Sequence, residues 1–231
     1  KSMKSRNLTI LAFCALTMTA SFASRGKGKK IKVPKDQFIT ELMGKMTLDE
    51  KIGQLVLPDG HEANTGVSEK TDIYGDIKKG LVGSVLNVSD PKAIRELQKV
   101  AVNESRLGIP LLVGLDVIHG FRTIFPIPLA QSCSWDTTLV RKAARIAAIE
   151  ASAYGVNWTY SPMVDVAHDA RWGRIAEGNG EDPFLSACMA KSLVYGYQED
   201  MKKNTNIAAC LKHYALYGAV ESGLDYNFVD M

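Results

Sequence analysis

The amino-acid sequence predicts an α/β fold of the (β/α)₈ TIM-type barrel, of which the chain carries an N-terminal portion of about five βα units. Three observations point there. Apolar, strand-like runs recur along the chain with helical stretches between them. The runs are continuous rather than alternating, as in parallel strands covered on both faces. No G-x-G-x-x-G follows any of them, which removes a dinucleotide-binding unit. A complete barrel takes about 250 residues, and only 197 lie beyond an N-terminal linker. The chain therefore reads as truncated, the front part of a longer protein.

The first element is an address. Basic residues Lys4 and Arg6 precede an apolar run from Leu8 to Ala20, and Ser21-Phe22-Ala23 supplies small residues before a cleavage point. That pattern is a secretory signal peptide over 1–23, too short to cross a bilayer as a helix of about 20 residues. A charged linker follows over 24–34, and the body is 35–231. The mature protein is expected to be exported, periplasmic or secreted, without a membrane anchor.

The body opens with a helix over 35–43. Thr47-Leu-Asp-Glu50 is a capping box opening a second. Strand-like runs follow at Gln54–Leu57, Val82–Val88, Leu111–Leu115, Trp158–Ser161 and Ile207–Leu211; the first overlaps the end of the capped helix. Ser89-Asp90-Pro91 starts a helix to Glu104, with Pro at a permissive first-turn position. Asp136–Tyr154 is the clearest helix: Leu139, Val140, Ala143, Ala144, Ala147, Ala151 and Tyr154 share one face, and Gly155 stops it. A last helix runs from Asp182-Pro183 to about Glu199.

Composition narrows the partners. The chain is 46% hydrophobic and 23% charged, which is ordinary for a soluble globular fold. Its net charge of +3 is concentrated in residues 1–30, which hold seven basic and no acidic side chains. The remainder has 21 basic against 25 acidic, so no nucleic-acid partner is expected. Cys14 lies in the signal peptide. Cys133, Cys188 and Cys210 are scattered, form neither a disulfide framework nor a zinc cage, and read as small core residues. No metal or cofactor is called for.

In a barrel, function sits at the C-terminal ends of strands. Asp116 follows Leu111–Leu115, and Lys212-His213 follows Ile207–Leu211. A long loop after Trp158–Ser161 carries Asp165, His168, Asp169, Arg171, Trp172, Arg174, Glu177, Glu181 and Asp182. A carboxylate, a guanidinium, an ammonium and an imidazole on neighbouring strand ends would converge on one pocket and suit vicinal sugar hydroxyls, which both donate and accept. Each position has a plainer role as well. Asp116 could be a turn residue, Lys212 and His213 a polar strand terminus. Arg171 and Arg174 could pair with Glu177, Glu181 or Asp182 to hold the loop. His119 and His168 read as local hydrogen-bond makers, His61 as a loop residue and Asp182 as a helix cap. Trp135, Trp158 and Tyr160 read as core residues, and Trp172 as either core or sugar platform.

Taken together, Gly44-Lys-Met-Thr-Leu-Asp-Glu-Lys-Ile-Gly-Gln-Leu55, Ile109-Pro110, Asp116-Val-Ile-His-Gly120, Phe125-Pro126, Pro162-Met-Val-Asp-Val-Ala-His-Asp-Ala-Arg-Trp-Gly-Arg174 with Glu177 and Gly180-Glu-Asp182, and Lys212-His213-Tyr214 resemble the N-terminal domain of family 3 glycoside hydrolases. The branch looks like the bacterial periplasmic β-glucosidases. One departure is Ala170, where the family usually has Pro.

The resemblance implies a (β/α)₈-type barrel followed by a C-terminal α/β sandwich domain, hydrolysing β-linked glucosides from the non-reducing end with retention. It assigns Asp116, Arg174, Lys212 and His213 to the hydroxyls of the −1 sugar. It also implies a nucleophilic Asp in a Ser-Asp-aromatic motif and a later acid/base Glu. The only Ser-Asp pair here is Ser89-Asp90. Both reacting carboxylates are therefore expected beyond Met231, and this polypeptide alone is expected to be inert. Two other classes fit the same residues: a Schiff-base aldolase-type lyase using Lys212, and a non-catalytic sugar-binding module.

Overall fold

The computed structural model describes residues 34–60 and 72–230. The expected signal peptide (1–23), nearly all of the linker and His61 lie outside the described residues. The chain divides into two units, Lys1–Glu41 and Leu42–Met231. From the first, the structure describes Pro34 and the start of α1 (Lys35–Lys45), where the Gln37 amide donates to Glu41 at 2.8 Å, one turn on. All later elements belong to the second unit.

The capping box at Thr47 forms as the sequence predicts. The Thr47 hydroxyl accepts from the Glu50 amide and the Glu50 carboxylate from the Thr47 amide, opening α2 (Leu48–Gly53). Arg106 adds Nε–H to Glu50 at 2.9 Å. The expected strand at Gln54–Leu57 is not one. The turn carries on past α2, with Leu55 N–H bonding Ile52 O and Val56 N–H bonding Gly53 O. Pairing begins further on, through Leu86 N–H to Pro58 O and Gly60 N–H to Leu86 O.

After α3 (Ile73–Lys79), which has no counterpart among the predicted elements, come β1 (Ser84–Leu86), α4 (Pro91–Asn103), β2 (Leu112–Leu115), the short α5 (Pro128–Ser132), α6 (Thr137–Ala153), β3 (Trp158–Thr159) and α7 (Pro183–Gln198). The three strands form a parallel sheet in the order β1-β2-β3. On its far side the segment 208–212 runs parallel to 157–164, with Thr159 N–H on Ala208 O, Cys210 N–H on Ser161 O and Val164 N–H on Lys212 O. Five chain segments thus lie side by side in sequence order. The four later predicted runs contribute, the first place being taken by residues 58–60 in place of 54–57, and only short stretches hold regular ladders. Among the described residues the sheet is open, not a closed barrel.

Side-chain caps start the helices: Asp90 accepts from Ala93 N–H, Asp136 from Thr138 and Leu139 N–H, and Asp182 from Leu185 N–H. The predicted face of α6 is buried at Val140, Ala143, Ala144, Ala147 and Ala151, joined by Ala148. Two positions depart from it: Tyr154, the C-cap, is half-buried, and Leu139 is 55% exposed, because a position in the first turn beside Val140 falls at the edge of the stripe. The small residues let α7 approach closely. A Cβ on Gly196 would stand 2.5 Å from both Ala144 Cβ and the Arg141 carbonyl oxygen. Gly155 takes the left-handed conformation expected of a stop, φ +97°.

The main core comprises Val85, Val113, Val117, Ile94, Leu97, Ile207 and the alanine face of α6, with Met189, Leu193 and Tyr197 of α7. A second, smaller cluster joins Met163, Ala167, Trp172 and Val220, with Ile118, Ile175, Tyr217 and Val229 against it. The expected core places of the cysteines and of Trp135 are not met. Cys133 is exposed and Cys188 and Cys210 only half-buried; Cys133 caps the end of α5, its thiol near Leu129 O, not facing the sheet. Trp135, just beyond α5 with a positive φ, is 75% exposed.

Candidate functional site

Asp116 stands directly after β2, and Lys212 and His213 end the fifth segment. The loop after β3 starts at a cis Ser161–Pro162 bond, and Lys212–His213 and Tyr214–Ala215 are cis as well. All these residues are at the C-terminal ends of parallel segments.

Lys212 is the junction. Its Nζ lies 3.2 Å from Asp116 Oδ1 and 3.5 Å from Glu177 Oε1, with the side chain only 14% exposed. Glu177 in turn takes a two-point grip from Arg174, through Nε to Oε2 and Nη2 to Oε1, the latter at 2.7 Å. The pair sits in a 3₁₀ turn, Gly173–Glu177, where side chains three apart eclipse one another. The hydrogen bond from Arg174, with further help from Lys212, holds the Glu177 carboxyl below the usual glutamate range. The same bond raises Arg174.

His213 is set by Asp165. One oxygen of that buried carboxylate, Oδ2, accepts from the His213 backbone N–H at 3.1 Å and meets ring Nδ1 at 2.7 Å. In the tautomer whose Nδ1 carries the hydrogen, Nε2 is the acceptor. The rings of His213 and Tyr217 meet edge to face, 4.8 Å apart at 88°. The Arg174 guanidinium lies 5.2 Å from the same Tyr217 ring centroid. Asp116, Arg174, Lys212 and His213 are therefore linked in one cluster, through Glu177 and Tyr217.

The segment after His213 packs back on the loop. Trp172, 1% exposed, donates its indole N–H to Asp225 Oδ1 at 2.9 Å, and the Tyr217 hydroxyl donates to the same oxygen at 2.7 Å. Trp172 is thus a core residue of the second cluster. The two donors hold Asp225 below the ordinary aspartate range. Burial first, then the Asp225 hydrogen bond, pushes the Tyr217 phenol up to about 12. Close contact fixes two glycines here: a Cβ on Gly218 would meet Val166 O at 2.3 Å, and Gly223 has φ +65° against the Trp172 backbone.

Tyr160, half-buried rather than core, points its hydroxyl at Gly114 so closely that a Cβ there would lie 2.0 Å away. Burial, then the Asp116 charge, pushes that phenol up to about 12. Trp158 is also half-buried, its ring 4.8 Å from that of Tyr160.

Other candidates fall outside the cluster. Arg171 pairs with Asp169, not with Glu177, Glu181 or Asp182, and its side chain is 73% exposed. His119 Nδ1 bonds locally to Phe125 O at 3.1 Å. His168 is exposed, and its backbone N–H donates to Gly218 O. Asp182 caps α7. Among the described residues no three His, Cys, Asp or Glu side chains are grouped to hold a metal, and no helix is long and apolar enough to cross a membrane.

Sequence reasoning names Glu177 only as a loop partner and does not single out Asp165, Tyr217 or Asp225 as site residues. Asp165 and Glu177 lie inside the motif and can be found there. Tyr217 and Asp225 carry no signal, since their importance comes from folding back over the loop.

The cluster brings hydrogen-bond donors and acceptors together, a set that suits a ligand rich in hydroxyls. An ammonium and a guanidinium donate, two carboxylates accept, and an imidazole is held by a third carboxylate. Each hydrogen bond to such a charged group is worth about 1.5–3 kcal/mol.

Comparison with known proteins gives the same direction. Residues 47–231 match the model of the glycosyl hydrolase family 3 N-terminal domain. A periplasmic β-glucosidase of Salmonella typhimurium is 43% identical over 198 residues, 85% of this chain and 25% of its own length. A β-xylosidase of Formosa agariphila is 31% identical over 182 residues, 73% of this chain and 25% of its own. Among solved structures, a β-glucosidase from Listeria innocua in complex with isofagomine superposes with a TM-score of 0.78 at 42% identity, covering 86% of this chain and 28% of that one. The chain thus spans about a quarter of the length of these relatives.

Proposed function

The chain belongs to glycosyl hydrolase family 3, and from that premise we propose that it forms the sugar-holding part of a retaining β-glucosidase acting on terminal, non-reducing β-D-glucosyl residues. In this reading Asp116, Arg174, Lys212 and His213 hold the hydroxyls of the −1 sugar. The observation that carries it is the placement of Lys212 Nζ between Asp116 and Glu177, with Arg174 gripping the same Glu177. A hexose entering this cluster exchanges ion pairs for hydrogen bonds to its hydroxyls, with Lys212 and Arg174 donating and Asp116 accepting. His213, oriented by Asp165, offers Nε2 to one more hydroxyl. A Schiff-base lyase would need Lys212 Nζ placed to attack a carbonyl, whereas here the nitrogen is engaged by Asp116 and Glu177.

Retention requires two further carboxylates about 5–5.5 Å apart, one attacking the anomeric carbon and one protonating the leaving oxygen. We place both in polypeptide beyond Met231, together with the rest of a (β/α)₈ barrel and an α/β sandwich domain packed against it. We also assign residues 1–23 to export into the periplasm or beyond, 24–34 to a linker and 35–231 to the barrel domain. The relative named periplasmic supports that address.

Titration of the 231-residue chain with D-glucose tests the reading. Binding should weaken at least about tenfold in Asp116→Ala, the loss of one charged hydrogen bond, and the chain alone should not hydrolyse an aryl β-glucoside. Equal affinity in the variant removes the pocket, and ordinary turnover by the isolated chain removes the division of labour.

A further inference from the structure

We propose that Tyr217, anchored by Asp225, is a positioning residue that locks His213 and Arg174 in one relative orientation; its bearing on sugar binding rests on the proposed −1 site. The two side chains come from separate segments, and each has a polar partner that leaves one freedom open. Asp165 ties His213 at Nδ1 and at the backbone, which fixes one edge of the ring but not its tilt. Glu177 grips Arg174 in the plane of the guanidinium and leaves the faces of that plane unsupported. Tyr217 supplies both missing constraints. Its ring stands nearly perpendicular to the imidazole, 88° at 4.8 Å, which sets the tilt. The same ring lies 5.2 Å from the guanidinium carbon, within reach of a cation–π contact.

The ring is itself immobilised. Its hydroxyl donates to Asp225 Oδ1 at 2.7 Å, and that oxygen is fixed by the indole N–H of buried Trp172 at 2.9 Å. Trp172 also meets the Tyr217 ring edge-on at 5.2 Å. A chain of contacts therefore runs from the second core through Asp225 and Tyr217 to two proposed sugar ligands. In this role Tyr217 touches no substrate. It acts by sparing the site the cost of orienting two flexible groups when a ligand arrives.

Nitrogen-15 NMR of the 231-residue chain, labelled at histidine and arginine, reads the geometry without a ligand, and D-glucose titration reads its consequence. In Tyr217→Leu the His213 ring signals should shift and broaden as the tilt is released, and the Arg174 Nε–H should exchange several-fold faster. Glucose affinity should fall about tenfold, the combined size of one ring–ring and one cation–ring contact. Asp225→Asn keeps the ring but loosens its anchor, and should show the same changes at smaller amplitude; it carries the test if the leucine variant does not fold. Unmoved His213 and Arg174 signals in a folded variant overturn the proposal, whether or not glucose affinity changes. A wild-type chain that ignores glucose, while the variants still shift both signals, refutes the sugar reading and upholds the positioning role.

Discussion

The main core and the cluster around Trp172 are built from different materials. The first joins mainly Val, Leu, Ile and Ala side chains from strands and helices whose own backbones satisfy their polar groups. The second joins Met163, Trp172, Val220 and Tyr217 from a loop and a following segment with only short 3₁₀ turns. Its order depends on side-chain hydrogen bonds at Asp225 and on glycines that let backbones touch. Aliphatic periodicity builds most of the first, with buried Tyr197 and Met189 added from α7. The second needs aromatic side chains with a polar end, which fill space and also reach a fixed partner. The candidate site leans on this second cluster: Arg174 and His213 both contact Tyr217. The scaffold is held by area, and the site by geometry.

The sharpest way to break this contrast is Trp172→Ala. Removing a fully buried indole should cost about 3–5 kcal/mol, read by urea unfolding. A cost as small as that of truncating exposed Trp135 would mean that the loop cluster is not a core. The next largest effect belongs to the first region. Gly196→Ala should destabilise by about 1–3 kcal/mol although alanine is the better helix former, because its Cβ would press on the Arg141 carbonyl. A stabilised variant would show that α6 and α7 separate freely.

The smallest effect is electrostatic and sharpens the comparison at the site. Arg174 holds Glu177 below its ordinary value of 4.5, so the folded state favours the carboxylate. That contribution is fully present above pH 4.5, is lost as pH falls through the lower folded value, and for a partly exposed pair is worth about 1 kcal/mol or less. In Glu177→Gln this part of the acid sensitivity should vanish from a pH series of unfolding curves. An identical pH profile would show that the pair adds nothing to stability.

Much of the scaffold is legible in the sequence because its physics is local. A capping box at Thr47, aspartates before α4, α6 and α7, and an alanine stripe on α6 each announce themselves over a few residues. The strand expected near residue 57 is displaced for the same reason, since where a capped helix stops competes with where pairing starts and only the partner at Leu86 decides. Trp135 and Cys133 depart from a core reading because hydrophobic type does not say which way a short connecting helix faces.

By itself the sequence determined the alternation of strands and helices, the helix starts, and which polar residues stand after strands, because each follows from spacing along one segment. Tertiary structure decided that Lys212 rests between Asp116 and Glu177, that Arg171 turns away to Asp169, and that Tyr217 and Asp225 fold back on Trp172. These contacts join residues up to 96 positions apart. Such partners are chosen by which segments the parallel sheet and the returning chain bring within hydrogen-bonding distance, and a linear pattern carries no record of that choice.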